Sequence, residues 1–188
     1  MRTATCKIHS LSPYSQSRMH QDEKGDKETH DAYEKRTWRS KAHTTEDGRI
    51  FMPPTAFTLG IAEAAKFNPR SIPGRGKSTY TKHFRSGVMV TEGPILDIKI
   101  SEVEGEWINA NSDGVRGSGK RVQRCFPTIP KWAAEVVFYI LDDTITEEVF
   151  EATMTEFGAF IGVGRFRPGN GGYYGRFEVD SVTWSNGG

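Results

Sequence analysis

Trp132-Ala133-Ala134-Glu135-Val136-Val137-Phe138-Tyr139-Ile140-Leu141 runs directly into Asp142-Asp143-Thr144, and this stretch is the clearest structural unit of the sequence. Its apolar run, rich in β-branched and aromatic residues, reads as a core strand. Thr144 and Glu147 have the spacing of a capping box, which predicts a helix start at Thr144. Ile145, Val149, Phe150, Met154, Phe157 and Phe160 follow at near-helical spacing, so these side chains read as core rather than as a binding stripe. A last strand is predicted from about Tyr174 to Trp184.

Working back toward the N-terminus, Thr3 to Leu11 reads as a first strand closed by the turn Ser12-Pro13-Tyr14. Pro53-Pro54-Thr55 opens a predicted helix to Lys66, with Leu59, Ile61, Ala62 and Ala65 as its apolar side and Asn68-Pro69 as its stop. Val88 to Thr91 and Ile95 to Val103 read as strand material, and Gly105 to Gly119 as mostly turn and loop. Strand, helix, strand, strand, helix, strand is the order of a ferredoxin-like α+β unit. Ser15 to Asp47 is polar and carries almost no apolar periodicity, with Tyr33 and Trp38 as its large anchors. The chain therefore reads as one domain over 1–188, with 15–50 as a polar protruding insertion.

A length of 188 residues suits a single core-forming domain. The formal net charge is only +1, yet the charges are segregated along the chain. Arg70, Arg75, Lys77, Lys82 and Arg85 form one acid-free run, and Arg116, Lys120, Arg121 and Arg124 a second. Acids gather in Asp142 to Glu156 and in Glu92 to Glu106, so a nearly neutral chain can present a basic face. Cys6 and Cys125 have neither paired spacing nor histidines at zinc-ligand distances, which argues against a disulfide framework or zinc site and for a reducing compartment. Met1 to His9 has no apolar signal core, and no apolar run reaches bilayer length. A soluble cytoplasmic protein with no membrane partner and no cofactor is expected.

The chemistry concentrates in residues 161–177, Ile-Gly-Val-Gly-Arg-Phe-Arg-Pro-Gly-Asn-Gly-Gly-Tyr-Tyr-Gly-Arg-Phe, which hold six glycines, three arginines, four aromatics and no acid. Glycine lets main-chain N–H groups approach an anion, arginine offers forked donors to phosphate, and aromatic rings offer faces to bases. Single-stranded nucleic acid is the ligand this mixture suits. A glycine-rich hairpin with solvated arginines and core aromatics is the alternative, because Tyr174 to Val179 also alternates as a strand entry.

Other motifs resolve less sharply. Gly114 to Lys120 has the spacing of a nucleotide phosphate-binding loop, but Arg121 stands where a hydroxyl should hold magnesium and Phe126-Pro127-Thr128-Ile129-Pro130 precludes the following helix. Gly76-Lys77-Ser78 lacks the leading glycine, which is Ser71. Both segments read as phosphate cradles or as ordinary basic loops. In Lys77 to Arg85 an extended chain would put Lys77, Thr79, Thr81, His83 and Arg85 on one side, leaving Tyr80 and Phe84 to the core or to a base. His20, His30 and His43 near Asp22, Asp26 and Asp31 raise a metal-dependent nuclease, though their spacing fits no compact metal site. No elbow or paired motif supports Ser-His-Asp or Cys-His hydrolysis.

Ser12 to Arg18, Tyr33 to Arg39, Gly76 to Phe84 and Gly162 to Phe177 resemble stretches shared by a family of phage and prophage proteins, over nearly the whole chain. More distantly, the glycine-rich loop before the last strand resembles the RAMP superfamily of CRISPR-associated proteins, through Gly162, Gly164, Arg165, Gly171, Gly172 and Gly175. The resemblance implies an RRM-derived core with a thumb-like insertion and a phage-encoded protein of the bacterial cytoplasm. It also implies head-to-tail homo-oligomers forming a helical filament along nucleic acid. Some members of the superfamily cleave RNA with an N-terminal aspartate, a role that no motif here assigns to Asp22, Asp26 or Asp31.

The expectation is a non-enzymatic protein that coats single-stranded RNA or DNA. The residues expected at nucleic acid are Arg18, Arg36, Trp38, Arg39, Lys77, Lys82, His83, Arg85, Arg116, Lys120, Arg121, Arg124, Arg165, Arg167, Tyr173, Tyr174 and Arg176. Tyr173, Tyr174 and Trp38 would stack or wedge bases. The alternatives are an anti-CRISPR or decoy that partners CRISPR effector subunits, and a metal-dependent RNase.

Overall fold

The computed structural model describes residues 1–111, 117 and 119–186. In chain order the elements are β1 (Arg2–Ser10), β2 (Tyr14–Ser15), α1 (His30–Thr37), β3 (Arg49–Phe51), α2 (Pro54–Phe67), α3 (Thr81–Gly87) and β4 (Val88–Met89). They continue with β5 (Ile95–Lys99), β6 (Glu104–Asn111), β7 (Arg121–Ile129), β8 (Ala133–Ile140), α4 (Glu147–Glu156) and β9 (Phe177–Asn186).

β1 buries alternate side chains, Ala4, Cys6 and Ile8, as a strand with one face on a core must. It sits between β8 and β9 in an antiparallel sheet of order β4-β8-β1-β9. With α2 between β1 and β4, and α4 between β8 and β9, the connectivity is strand, helix, strand, strand, helix, strand. This mixed α and β architecture is compatible with the ferredoxin-like arrangement expected from the sequence. Both helices cover one face of the sheet. Phe57 of α2 meets Phe138 of β8 edge-on at 6.4 Å, and Phe150 of α4 meets Phe138 at 5.4 Å. Gly60 is the contact point on α2, because a Cβ there would stand 2.1 Å from the Phe157 ring.

Several boundaries differ from the expectation, each for a physical reason. The buried side of α2 is Phe57, Gly60, Ile61, Ala64 and Ala65, while Leu59 is 66% exposed. Thr144 does not cap α4. Its N–H donates to Asp142 Oδ1 at 2.9 Å, and Thr146 accepts from Val149 N instead. Residues 77–85 are not extended: α3 puts Tyr80 and Phe84, four residues apart, together in the core. The last strand starts at Phe177, because Tyr174 belongs to the preceding loop.

The region read as loop after Gly105 contains β6, paired antiparallel with β7, and β2 adds to β7 to give a second sheet of order β2-β7-β6. The 15–50 segment is also more structured than its polarity indicates. Thr29 caps α1 by accepting from Ala32 N at 3.2 Å, and α1 packs on β7 through a fully buried carboxylate. Glu34 accepts from the Cys125 amide at 2.8 Å and lies 3.4 Å from Arg124 Nη1. Lys41 Nζ donates to both Glu34 Oε1 and the Cys125 carbonyl. Burial opposes ionisation of Glu34, but the donors from Lys41 and Cys125 outweigh it and hold the carboxyl below the usual carboxylate range. Cys6 and Cys125 are both buried free thiols.

Removing the carboxylate in Glu34→Ala leaves Lys41 buried without its counter-ion, and should cost about 3–5 kcal/mol in denaturant titration. Because the folded carboxyl ionises below its unfolded value near ~4.3, its stabilisation is complete at neutral pH and drains away as the pH falls through the folded value. Wild type should therefore lose stability more steeply than Glu34→Gln below about pH 4.

Candidate functional site

α4 ends in a π turn, Phe157–Ile161, and Gly162 at φ 68° hands the chain to the glycine-rich loop. A Cβ on Gly158 would stand 2.2 Å from the Phe177 carbonyl, so the turn and β9 touch backbone to backbone. The loop is internally satisfied rather than open. Gly171 N donates to the Pro168 carbonyl (2.8 Å), Gly172 N to Arg167 (3.0 Å) and Gly175 N to Pro13 (2.7 Å). These glycine N–H groups do not form the anion cradle expected from the sequence, since the protein already uses them. The glycines instead permit close approach.

The loop docks on β2 through Arg165, whose N–H donates to the Ser15 carbonyl at 2.8 Å and whose Nε donates to Ser15 Oγ at 3.0 Å. Its guanidinium lies 4.1 Å from the Phe126 ring centroid and 4.7 Å from that of Tyr174. The Tyr174 hydroxyl donates to Glu106, and burial together with that bond keeps the phenol neutral. Gln16 staples the same region: its Nε2 donates to Tyr14 Oη and the Phe51 carbonyl, each at 2.8 Å, and its Oε1 accepts from His43 N at 2.6 Å.

Beside this dock lies a cleft of about 350 Å³ lined by Tyr14, Arg18, His43, Thr55, Leu59, Gly164, Arg165 and Arg167, among others. Arg18 also lines an adjoining depression of about 730 Å³, with His20, Arg39, Ser40 and Thr44. Four arginines thus converge from three stretches of sequence. Arg167 pairs with Glu63 at 2.7 Å, and Arg39 lies over the Trp38 ring at 4.1 Å. Among the described residues neither Arg18 nor Arg39 has a carboxylate partner. Arg165 Nη2 and Arg167 Nη1 are buried without a hydrogen-bond partner, which buried donors rarely are. Burial, with the nearby charge of Arg18, pushes His43 below its ordinary value, so it is neutral at pH 7. The N-terminus of α2 lines the same cleft with no side-chain cap. The arrangement suits an extended polyanion.

The other expected residues lie elsewhere. Lys77, Lys82 and Arg85 are exposed around α3, where Thr81 Oγ1 donates to the Ala65 carbonyl, about 9 Å along the α2 axis from Leu59 at the cleft. His83 is turned inward, its Nδ1 2.6 Å from Asp142. Lys120 and Arg121 are exposed at the end of the β6–β7 ribbon, Arg124 sits at Glu34, and Arg116 lies outside the described residues. Arg36 is bound to Glu28, whose carboxyl it holds down to about 2. Arg176 Nε donates to the Ala159 carbonyl. Trp38 and Tyr174 are 7% and 8% exposed, so neither ring is displayed, whereas Tyr173 is 56% exposed. Ser15, Gln16, Glu63 and Phe126 escaped the sequence reading. Ser15 and Gln16 fall in a stretch it singled out for resemblance, and Phe126 in one it read only as a helix breaker. Among the described residues no cluster of three or more His, Cys, Asp or Glu is placed to hold a metal, and no helix is long and apolar enough to cross a membrane.

No protein-family model and no curated protein sequence matches the chain. Its fold is nevertheless found among solved structures. A chain in the cryo-EM structure of the Type III-B Cmr-beta bound to cognate target RNA is 11% identical, with a TM-score of 0.52 over 97% of this chain and 60% of that one. A chain of a CRISPR RNA-guided surveillance complex is 12% identical, with a TM-score of 0.36 over 95% and 67%. The first likeness is one of fold alone; the second adds no weight. The chain spans 60% of the length of the Cmr-beta chain it matches.

Gly164 is where the dock is tightest: it adopts φ +86°, and a Cβ would stand 2.5 Å from both the Ser15 carbonyl and the Tyr14 ring. Gly164→Ala should cost about 1–3 kcal/mol in denaturant titration and weaken the tyrosine near-UV dichroism as the loop lifts from β2.

Proposed function

We propose that the cleft binds the sugar-phosphate backbone of a single-stranded nucleic acid, without cleaving it. The observation that carries this reading is the convergence of Arg18, Arg165 and Arg167 on one cleft, with Arg39 in the adjoining depression that Arg18 also lines; Arg165 and Arg167 keep buried, unpartnered N–H donors. Guanidinium groups match phosphate bidentately, and no base-edge code is needed, so binding is sequence-tolerant. Tyr173, exposed on the same loop, supplies a stacking face. RNA is the first ligand to test, since the structure that holds the chain of like fold is described as Cmr-beta bound to cognate target RNA. Assembly of several copies along the strand belongs to the proposal and is supported by β9, a ten-residue strand at the edge of the sheet.

The fold shared with a chain of the Cmr-beta structure also favours a second reading, an anti-CRISPR or decoy that docks into an effector complex by imitating a subunit. Nuclease-treated preparations separate the two. Capture of effector subunits without nucleic acid supports the decoy, and nucleic-acid-rich particles that shrink in high salt support the coat protein.

Fluorescence anisotropy with a mixed-sequence single-stranded RNA is the direct test. Affinity should fall steeply with salt, and Arg18→Ala with Arg39→Ala should weaken binding and flatten the log–log slope by about 0.7 for each phosphate no longer neutralised. A wild-type protein that ignores the RNA at low salt, or binds it equally at all salt concentrations, contradicts the proposal.

A further inference from the structure

Phe166 is, among the described residues, the one non-glycine with a positive φ, at 47°. Left-handed backbone is uncommon for any side chain, and a bulky aromatic is among the least suited to it. The loop nevertheless fixes this geometry. The Phe166 carbonyl accepts from Tyr173 N at 2.8 Å and Tyr174 N at 3.2 Å, and Gly172 is required opposite, because a Cβ there would stand 1.8 Å from that same oxygen. Asparagine or glycine would adopt the conformation at less cost. Burial does not explain the phenylalanine either, since its side chain remains 52% exposed.

Its setting distinguishes it from the exposed aromatics Phe67, Phe160 and Tyr173, and from Trp107, which also has no ring partner among the described residues but lies on β6, away from the loop. Phe67 and Phe160 stack on each other at 5.4 Å, and Tyr173 leans on Tyr174 at 5.6 Å. Among the described residues Phe166 has no ring partner. It stands in the chain between Arg165 and Arg167, the two cleft-lining arginines that hold buried donors without a partner. Strain that the surrounding structure over-determines gathers at ligand clamps. Resting on the reading of the cleft as a nucleic-acid site, we propose that Phe166 is a base-stacking residue, held in left-handed backbone so that its ring meets a base of the strand whose phosphates Arg165 and Arg167 hold. Trp38 and Tyr174 are too buried for that role.

The test uses a single-stranded RNA carrying 2-aminopurine, with wild type, Phe166→Asn and Phe166→Trp. Phe166→Asn suits the backbone and removes the ring. It should melt no lower than wild type, bind about five- to a hundred-fold more weakly, and lose the quenching of 2-aminopurine. Its salt slope should not change, because no charge is removed. Phe166→Trp should restore affinity and quenching. Phe166→Asn with wild-type affinity and quenching overturns the proposal, and so does weakened binding with an altered salt slope, which would mean displaced arginines. If Phe166→Asn does not fold, Phe166→Gly gives the same reading. Wild type that binds no RNA overturns the cleft assignment and this proposal together, whereas loss of the Phe166 effect alone leaves the cleft assignment standing.

Discussion

The guanidinium of Arg165, flanked by the rings of Phe126 and Tyr174 and bonded to Ser15, is the interaction on which the rest of the site depends. It joins the loop before β9 to two paired strands of the second sheet, β2 and β7, and so fastens that sheet to the four-stranded one. A charge held against aromatic faces keeps its field in a poorly hydrated setting, where attraction to an anion is stronger than in bulk water. Backbone donors of the loop are already paired, Gly171 and Gly172 within it, and Arg165 and Gly175 with Ser15 and Pro13. Its glycines therefore provide a preformed shape, not flexibility, so the proposed binding of a strand would cost little ordering entropy.

The opposite wall of the cleft has a different origin. The polar 15–50 segment has too little apolar surface to fold by burial, yet Glu34, Lys41 and the Cys125 backbone satisfy one another so completely that a charged cluster serves as its core. Once α1 is fixed on β7, the following turn is fixed as well, and the Arg18 amide bonds to the Lys41 carbonyl at 2.8 Å. Arg18 reaches the cleft, and Arg39 the depression beside it, by this route. The proposed binding surface is thus held by a buried ion pair on one side and a stacked arginine on the other.

The core was legible because Val136 to Ile140 and the helical spacing from Ile145 to Phe160 report burial directly. The β6–β7 ribbon was not, because Arg121, Gln123 and Arg124 mask a strand whose buried members, Cys125, Pro127 and Ile129, include a proline. Helix α1 was hidden for a similar reason: its buried residues are Glu34 and Thr37, and charge gives no sign that a residue is inside. The arginines of the glycine loop were visible as a concentration of chemistry, but their convergence with Arg18 and Arg39 was not, since it depends on the ion pair of α1. The exposed side of Leu59 and the inward turn of His83 likewise follow from tertiary packing that local periodicity does not encode.

The central claim is that a nucleic-acid backbone lies in the cleft between the glycine loop and the N-terminal segment. Photocrosslinking with 4-thiouridine RNA, followed by mass spectrometry of the linked peptides, tests it most directly. Crosslinks are predicted in residues 14–22, 39–44 and 163–174; crosslinks confined to the basic surface of α3 at 77–85 would contradict the claim.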